Sequence, residues 1–323
     1  MATYKGISGF NIKSLATDPS NLLEGEIWYN STSGTLKVSP LVAGSWASGG
    51  NLTTARRNLG GAGIQTAALA IGGEAPQTGK TESYDGSTWS EVGDLNTARN
   101  TLGATGTQTA AIAFGGESVT TATETWDGSS WTTSPNSLNT AIRTNAGFGT
   151  TAAAVNFGGL TSPGARTAGT ETWDGSSWTT SPNSLPAATS NMGGFGISTA
   201  GVECGGSAPG VTGVSNEWGG SSWTSGGTMV TARTAFAAGI GTQTDGVVAG
   251  GDIPAITATA EIYNGTTWAA TGSLGTARGS LAGLGPSSVS SDGLVSGGYD
   301  GSDTNATEEF TGAAATAQTI TTS

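Results

Sequence analysis

The chain has 323 residues, among them 55 glycines, 10 tryptophans, a single cysteine and no histidine. Glycine at about 17% far exceeds the usual ~7%, but no Gly-X-Y period runs through it, and recurrent apolar runs with frequent Trp are unlike a disordered chain; collagen and disorder are both excluded. A formal charge of −12 disfavours nucleic acid and anionic membrane as partners, and without histidine no Ser-His-Asp triad, Cys-His pair or His-bearing zinc site can be built.

Residues 1–45 stand apart from the rest of the chain. Lys5, Lys13 and Lys37 balance Asp18, Glu24 and Glu26, so the whole net charge belongs to the remainder. The opening "MATYKGISGFNIKSLATDPSN" lacks the basic lead and apolar centre of a secretory signal, and no apolar run approaches the ~20 residues that span a bilayer. If the protein works outside a cell, ordinary secretion is not the expected route. "GEIWYN", "STSG" and "TLKV" predict a strand, a turn and a strand, with Trp28 and Tyr29 as the large side chains. This hairpin is expected to be either a flap over the adjoining domain or an attachment arm.

From residue 46 the chain repeats itself. An apolar run ending in Gly-Gly occurs at Gly72-Gly73, Gly115-Gly116, Gly158-Gly159, Gly205-Gly206, Gly250-Gly251 and Gly297-Gly298, at steps of 43, 43, 47, 45 and 47 residues. Each is followed by a Glu and an aromatic: Glu82 and Tyr84, Glu124 and Trp126, Glu171 and Trp173, Glu217 and Trp218, Glu261 and Tyr263, Glu308 and Phe310. A second aromatic follows in five units, as Trp89, Trp131, Trp178, Trp223 and Trp268. A "TAR"-like segment comes next, with Arg99, Arg143, Arg233 or Arg278, and Ser190 in the remaining unit. The fourteen residues "TWDGSSWTTSPNSL" appear identically at 125–138 and 172–185. Short β-prone runs punctuated by Gly, Asn and Asp predict four antiparallel strands per unit, the signature of a propeller blade.

This pattern resembles the kelch repeat, with its Gly-Gly, Glu-x-Tyr-Asp and spaced Trp, over about residues 46–312. The resemblance implies an all-β, six-bladed β-propeller. The last unit lacks its Trp, whereas Trp46 precedes Arg56 by the same ten residues that separate Trp89 from Arg99. The strand around Trp46 is therefore expected to complete the last blade and close the ring, removing open edges. A seventh blade is the alternative, because "GEIWYNSTSGTLKV" faintly echoes the third and fourth strands. The domains expected are an arm over 1–45, a propeller over 46–312 and a tail over 313–323.

The repeated aromatics and Trp46 are expected to pack the core, and the Gly-rich first strands to let the inner strands approach one another. Repeated Glu and Arg are expected to form structural ion pairs rather than a binding ring. Sequence variation collects between Gly-Gly and the next Glu, where 7 to 11 residues intervene. Variable loops on a rigid scaffold are where binding resides, so Ser162, Arg166, Asp252, Tyr299, Asp300 and Asp303 are the candidate binding residues, and Trp28 and Tyr29 the candidate docking residues. Asp300, Asp303 and Asn305 are loosely spaced like a calcium loop, but acidic Gly-rich turns are ordinary, and no metal or cofactor is assigned.

"DPSN…EGEIWYNSTSGTLK" resembles a segment of virion and tail proteins of tailed bacteriophages, particularly marine ones, where it often introduces a repetitive adhesin-like region. That resemblance implies a structural or adhesive virion component, made in the host cytoplasm, released by lysis and present in several copies. Its implied partners are other virion proteins and a host-surface glycan or receptor, with no membrane insertion. A free bacterial carbohydrate-binding propeller is the alternative. Copper-oxidase propellers need histidines, and no carboxylate pair stands out for a glycosidase, so the chain is expected not to be an enzyme.

Overall fold

Every unit's third strand has the same alternation: two buried residues, one half-buried, then the buried aromatic. The second strand is buried almost throughout, as in "AALAI" and "AAIAF". A strand covered on both faces reads as a continuous small-apolar run, and this one is flanked by strands on both edges as well. The computed structural model describes residues 12–19, 26–38, 41–74, 76–234, 238–252, 255–285, 288–312, 314–315 and 318–320. Two compact units result, 45–311 and, separately, 1–44 together with 312–323.

Among the described residues the larger unit contains six four-stranded antiparallel sheets. Sheet 1 is Gly60–Ile64, Ala67–Ile71, Thr81–Tyr84 and Trp89–Glu91. Sheet 2 is Gly103–Thr107, Ala110–Phe114, Thr123–Trp126 and Trp131–Thr133. Sheet 3 is Ala146–Gly149, Ala154–Phe157, Thr170–Trp173 and Trp178–Thr180. Sheet 4 is Gly193–Ile197, Ala200–Cys204, Ser215–Trp218 and Trp223–Ser225. Sheet 5 is Ala238–Thr242, Asp245–Ala249, Ala260–Tyr263 and Trp268–Thr271. Sheet 6 is Ala282–Leu284, Leu294–Ser296 and Thr307–Thr311, with Ser45–Ser48 as its fourth strand, Trp46 opposite Phe310. Among the described residues there is no α-helix, only a 3-10 turn at Ser290–Asp292.

First strands of successive sheets lie side by side, and that of sheet 6 lies beside that of sheet 1. The approach demands glycine: a Cβ on Gly61 would sit 2.5 Å from the Gly283 carbonyl oxygen. The Gly-Gly pair has its own reason. Gly115 and Gly116 have φ of 67° and 120°, and the Gly116 N–H then donates to the Ile142 carbonyl in the link to the next sheet.

Sheet-to-sheet fastening uses the fourth-strand indole. Trp89 Nε1 donates to Thr307, Trp131 to Thr81, Trp178 to Thr123, Trp223 to Thr170 and Trp268 to Ser215, each time on the preceding sheet. Three hairpin glutamines, which the sequence pattern did not flag, add to this. Gln65, Gln108 and Gln243 donate to backbone carbonyls of the neighbouring sheet.

The smaller unit pairs Ile27–Asn30 antiparallel with Thr35–Val38, and Lys13–Leu15 parallel with the first of these. Residues 313–323, expected as a separate tail, belong to this unit where they are described. Gln318–Thr319 pairs with Thr35–Val38, and Ala314–Ala315 with Leu41–Val42. The open edge of Thr35–Val38 supplies the partner. No local pattern announces a pairing across 282 residues, marked by Lys37 Nζ donating to Thr319 Oγ1.

Candidate functional site

Placement of the repeated charges decides which groups remain for binding. Glu82, Glu124, Glu261 and Glu308 are buried and paired with Arg56, Arg99, Arg233 and Arg278. In sheet 2, Arg99 Nη2 donates to Glu124 Oε1 at 2.9 Å, while Nη1 donates to the Gly115 and Ala122 carbonyls at 3.0 and 2.8 Å. Glu124 Oε2 accepts from the backbone N–H and Nδ2 of Asn96. The clamp thus pins the link between sheets to the third strand of the next sheet.

Two units depart from this, and their expected alignment with the repeat is corrected. The second glycine of each Gly-Gly pair donates its N–H to a carbonyl of a link, at Arg56, Arg99, Arg233 and Arg278, but at Ile142 and Thr189 in the links that enter sheets 3 and 4. Ile142, not Arg143, therefore occupies the arginine position, and Thr189 rather than Ser190 replaces it in the next unit. Arg143 instead pairs with Glu117 at 2.7 Å, half-exposed. In sheet 4 the buried third-strand position is Asn216, not Glu217. Asn216 Nδ2 donates to Glu203 Oε2 at 2.7 Å across the strand pair, and burial pushes the Glu203 carboxyl up to about 8. Glu217 lies one residue on and accepts from the Tyr263 hydroxyl of sheet 5. Glu309 does the same for Tyr84 of sheet 1, and burial and these carboxylates push both phenols up to about 12. The misassignment comes from "SNEW", which places a Glu directly before its Trp.

The Gly-Gly loops and the links between sheets meet at one end of the sheets, bridged at Arg57 with Glu74, Arg143 with Leu160, Ser190 with Ser207, Thr234 with Asp252 and Gly279 with Tyr299. Just inside them Asn58, Thr101, Thr144, Asn191 and Ser280 all have φ between 52° and 56°. Their backbones are chained: Asn58 N–H donates to Ser280, Thr101 to Asn58, Thr144 to Thr101 and Asn191 to Thr144.

The candidate loop residues fall into separate groups at this end. Tyr299 and Asp303 meet at Arg57: the guanidinium lies 5.1 Å from the Tyr299 ring centre and 3.5 Å from Asp303, with Glu74 on its other side. Ser162 and Arg166 are exposed in the sheet 3 loop, where Arg166 Nη2 donates to Ser207 of the next loop at 2.8 Å. Asp252 belongs to neither group, and burial raises its carboxyl. Asp300 closes its own turn by accepting from Ser302, and Asn305 donates to the Leu52 carbonyl. Asp300, Asp303 and Asn305 therefore do not converge as a calcium loop would require. Among the described residues no three His, Cys, Asp or Glu side chains are arranged to hold a metal.

Two cavities lie along the first strands. One of about 70 Å³ is lined by all six, including Gly60, Gly103, Gly147, Gly194, Gly239 and Gly283. A larger one of about 270 Å³ opens at the hairpin end between Ile64, Ala67, Gly106, Gln108, Gly285 and Ser288. The first is far below the several hundred Å³ that enclose a small organic ligand.

In the smaller unit the docking expectation is corrected for Trp28. Its ring is buried, 2% exposed, and Nε1 donates to Asp18 Oδ1 at 3.0 Å. Bonds from Asn30 and Trp28 hold the Asp18 carboxyl below its usual range. Tyr29 is half-buried on the opposite face of the strand, beside exposed Ile27.

Repeated four-stranded antiparallel sheets with neighbouring first strands make this chain a β-propeller. No family model matches it, and no curated protein does. Among solved structures, the one titled "Structure of YjhT" matches with a TM-score of 0.66 at 12% identity, covering 83% of this chain and 99% of that one. At that identity the likeness shows the fold. It also corrects the expectation that the chain is not an enzyme: a propeller carries enzymatic sites as well as binding sites, and the shared scaffold removes the ground for excluding activity.

Proposed function

We propose that the chain is a six-bladed, kelch-like propeller closed by Ser45–Ser48, serving as a structural or adhesive component of a tailed-phage virion. Closure is supported by the pairing of Ser45–Ser48 with Thr307–Thr311 and by the Trp89 to Thr307 bond between sheets 1 and 6. The observation that carries the functional reading is the division of labour within the repeat. The repeated glutamates and arginines of four sheets are paired with one another, while the residues that differ from sheet to sheet gather at one end. Such an end suits recognition of a neighbouring virion protein or a host-surface glycan. The smaller unit, whose "EGEIWYN" segment resembles virion proteins, is the attachment element, with Ile27 and Tyr29 the side chains available to it.

Phage particles carrying a copy of the gene truncated to residues 45–323 test this. The truncated protein is expected to be made and to be missing from purified particles; particles that retain it would remove the arm from the reading. The alternative, a free bacterial carbohydrate-binding propeller, would show as glycan-array binding by a protein that does not co-purify with particles.

A further inference from the structure

Four sheets neutralise the buried third-strand carboxylate with a guanidinium; sheet 3 keeps the carboxylate and loses the cation. Glu171 is 3% exposed, and none of the ion pairs among the described residues includes it. Its anchoring is that of its sisters: Oε2 accepts from the backbone N–H and Nδ2 of Asn139 at 2.7 and 3.0 Å, and Oε1 accepts from the Thr140 N–H at 2.9 Å. What differs is the link, where Ile142 stands in the arginine position. An isoleucine ends where an arginine side chain still has its guanidinium to come. Beside Glu171 there is accordingly a cavity of about 30 Å³, whose walls include Thr140, Ile142, Asn156, Thr170 and Thr180.

The strand opposite has changed in step. The residue paired with the carboxylate position is Ala70, Ala113, Val248 or Val295 where the arginine is present, and Asn156 in sheet 3. An amide replaces an aliphatic group where the guanidinium is absent, so the wall facing Glu171 is polar. In the sister sheets the guanidinium bonds the carboxylate and two backbone carbonyls, such as Gly250 and Thr259 for Arg233. Asn156 Oδ1 already accepts from Asn145 Nδ2 at 2.7 Å, so the carboxylate, threonine hydroxyls and backbone carbonyls form the donor set for a small cation. One carboxylate in a space for about one water-sized occupant is too little for calcium, which takes 6–8 oxygens, or for octahedral magnesium.

We propose that this pocket is a monovalent-cation site, taking a potassium- or ammonium-sized ion against Glu171 where sister sheets place a guanidinium. The ion supplies the positive charge that makes a buried carboxylate tolerable.

Thermal unfolding of the full chain in potassium, ammonium and tetramethylammonium chlorides at one ionic strength of about 0.1 M, where screening is equal, tests it. The small cations should raise the Tm by about 2–4 °C over tetramethylammonium, increasing with the logarithm of concentration. Ile142→Arg, which brings its own guanidinium, should abolish that difference; an undiminished difference in this variant would overturn the assignment. Crystals soaked in rubidium chloride give a readout that needs no variant, an anomalous peak beside Glu171. Equal melting in all three salts with no such peak would leave water as the occupant and sink the proposal.

Discussion

Two single residues show how sensitively this repeat depends on one atom. Five fourth-strand indoles find a hydroxyl at the first position of the neighbouring third strand; Trp46 Nε1 is buried and has no partner among the described residues. The corresponding position in sheet 5 is Ala260, in the same apolar cluster as Trp46. A buried N–H without an acceptor is destabilising, and a neutral hydrogen bond contributes about 1 kcal/mol. Ala260→Thr is therefore expected to stabilise the protein by about that amount, read as a higher denaturant midpoint at unchanged slope. Glu203 is the second case. Its carboxyl titrates at about 8 in the folded chain against 4.5 ordinarily. Between those values the folded state holds a proton that the unfolded state has released, so this group's contribution falls as pH rises from about 4.5 to about 8, then levels off. Glu203→Gln keeps an acceptor for Asn216 without the charge. It should flatten that limb and gain about 2 kcal/mol at pH 8, measured by urea unfolding at pH 5 and pH 8.

At the scale of the element, the Arg–Glu clamp sets how each link enters its sheet. Glu124→Ala strands Arg99 among carbonyls, its guanidinium already disfavoured by burial. Breaking one side of such a pair costs about 3–5 kcal/mol. Glu217→Ala removes a half-buried acceptor from a tyrosine hydroxyl and should cost only about 1 kcal/mol. Equal melting temperatures for the two variants would contradict the assignment of Glu124 to the buried position and Glu217 to the half-buried one. The third-strand aromatic obeys the same pairing. Tyrosine stands at 84 and 263, where the preceding sheet offers Glu309 and Glu217; where it offers Thr125 or Thr172 the residue is Trp, bonded to a hairpin carbonyl instead.

For the whole molecule, the strand Ser45–Ser48 is the decisive short segment. Residues 45–311 form a compact unit, and a fragment with these bounds is expected to unfold in one cooperative transition. Starting the fragment at residue 49 removes the partner of Thr307–Thr311 and the Trp46 ring, whose centre lies 4.9 Å from that of Phe310 in a tilted contact. That fragment should expose a strand edge and sediment as aggregates, whereas the longer one should remain monomeric in analytical ultracentrifugation.

The sequence by itself determined the strand count per unit, the core aromatics and the glycines, because each is a local pattern repeated at a near-constant step. It also pointed to Trp46 as the partner of the last unit, since a repeat with one element missing at one end and one in excess at the other can be matched by counting. Tertiary structure alone decided which of two adjacent positions is buried in "SNEW", because a one-residue shift turns a side chain to the opposite face of a strand. It alone placed Ile142 rather than Arg143 in the arginine position, since insertions in the links change the count without changing the bond to Gly-Gly. And it alone turned Trp28 inward onto Asp18, since alternation does not say which face of a hairpin is covered, and joined 318–319 to the hairpin across 282 residues, which no local pattern encodes.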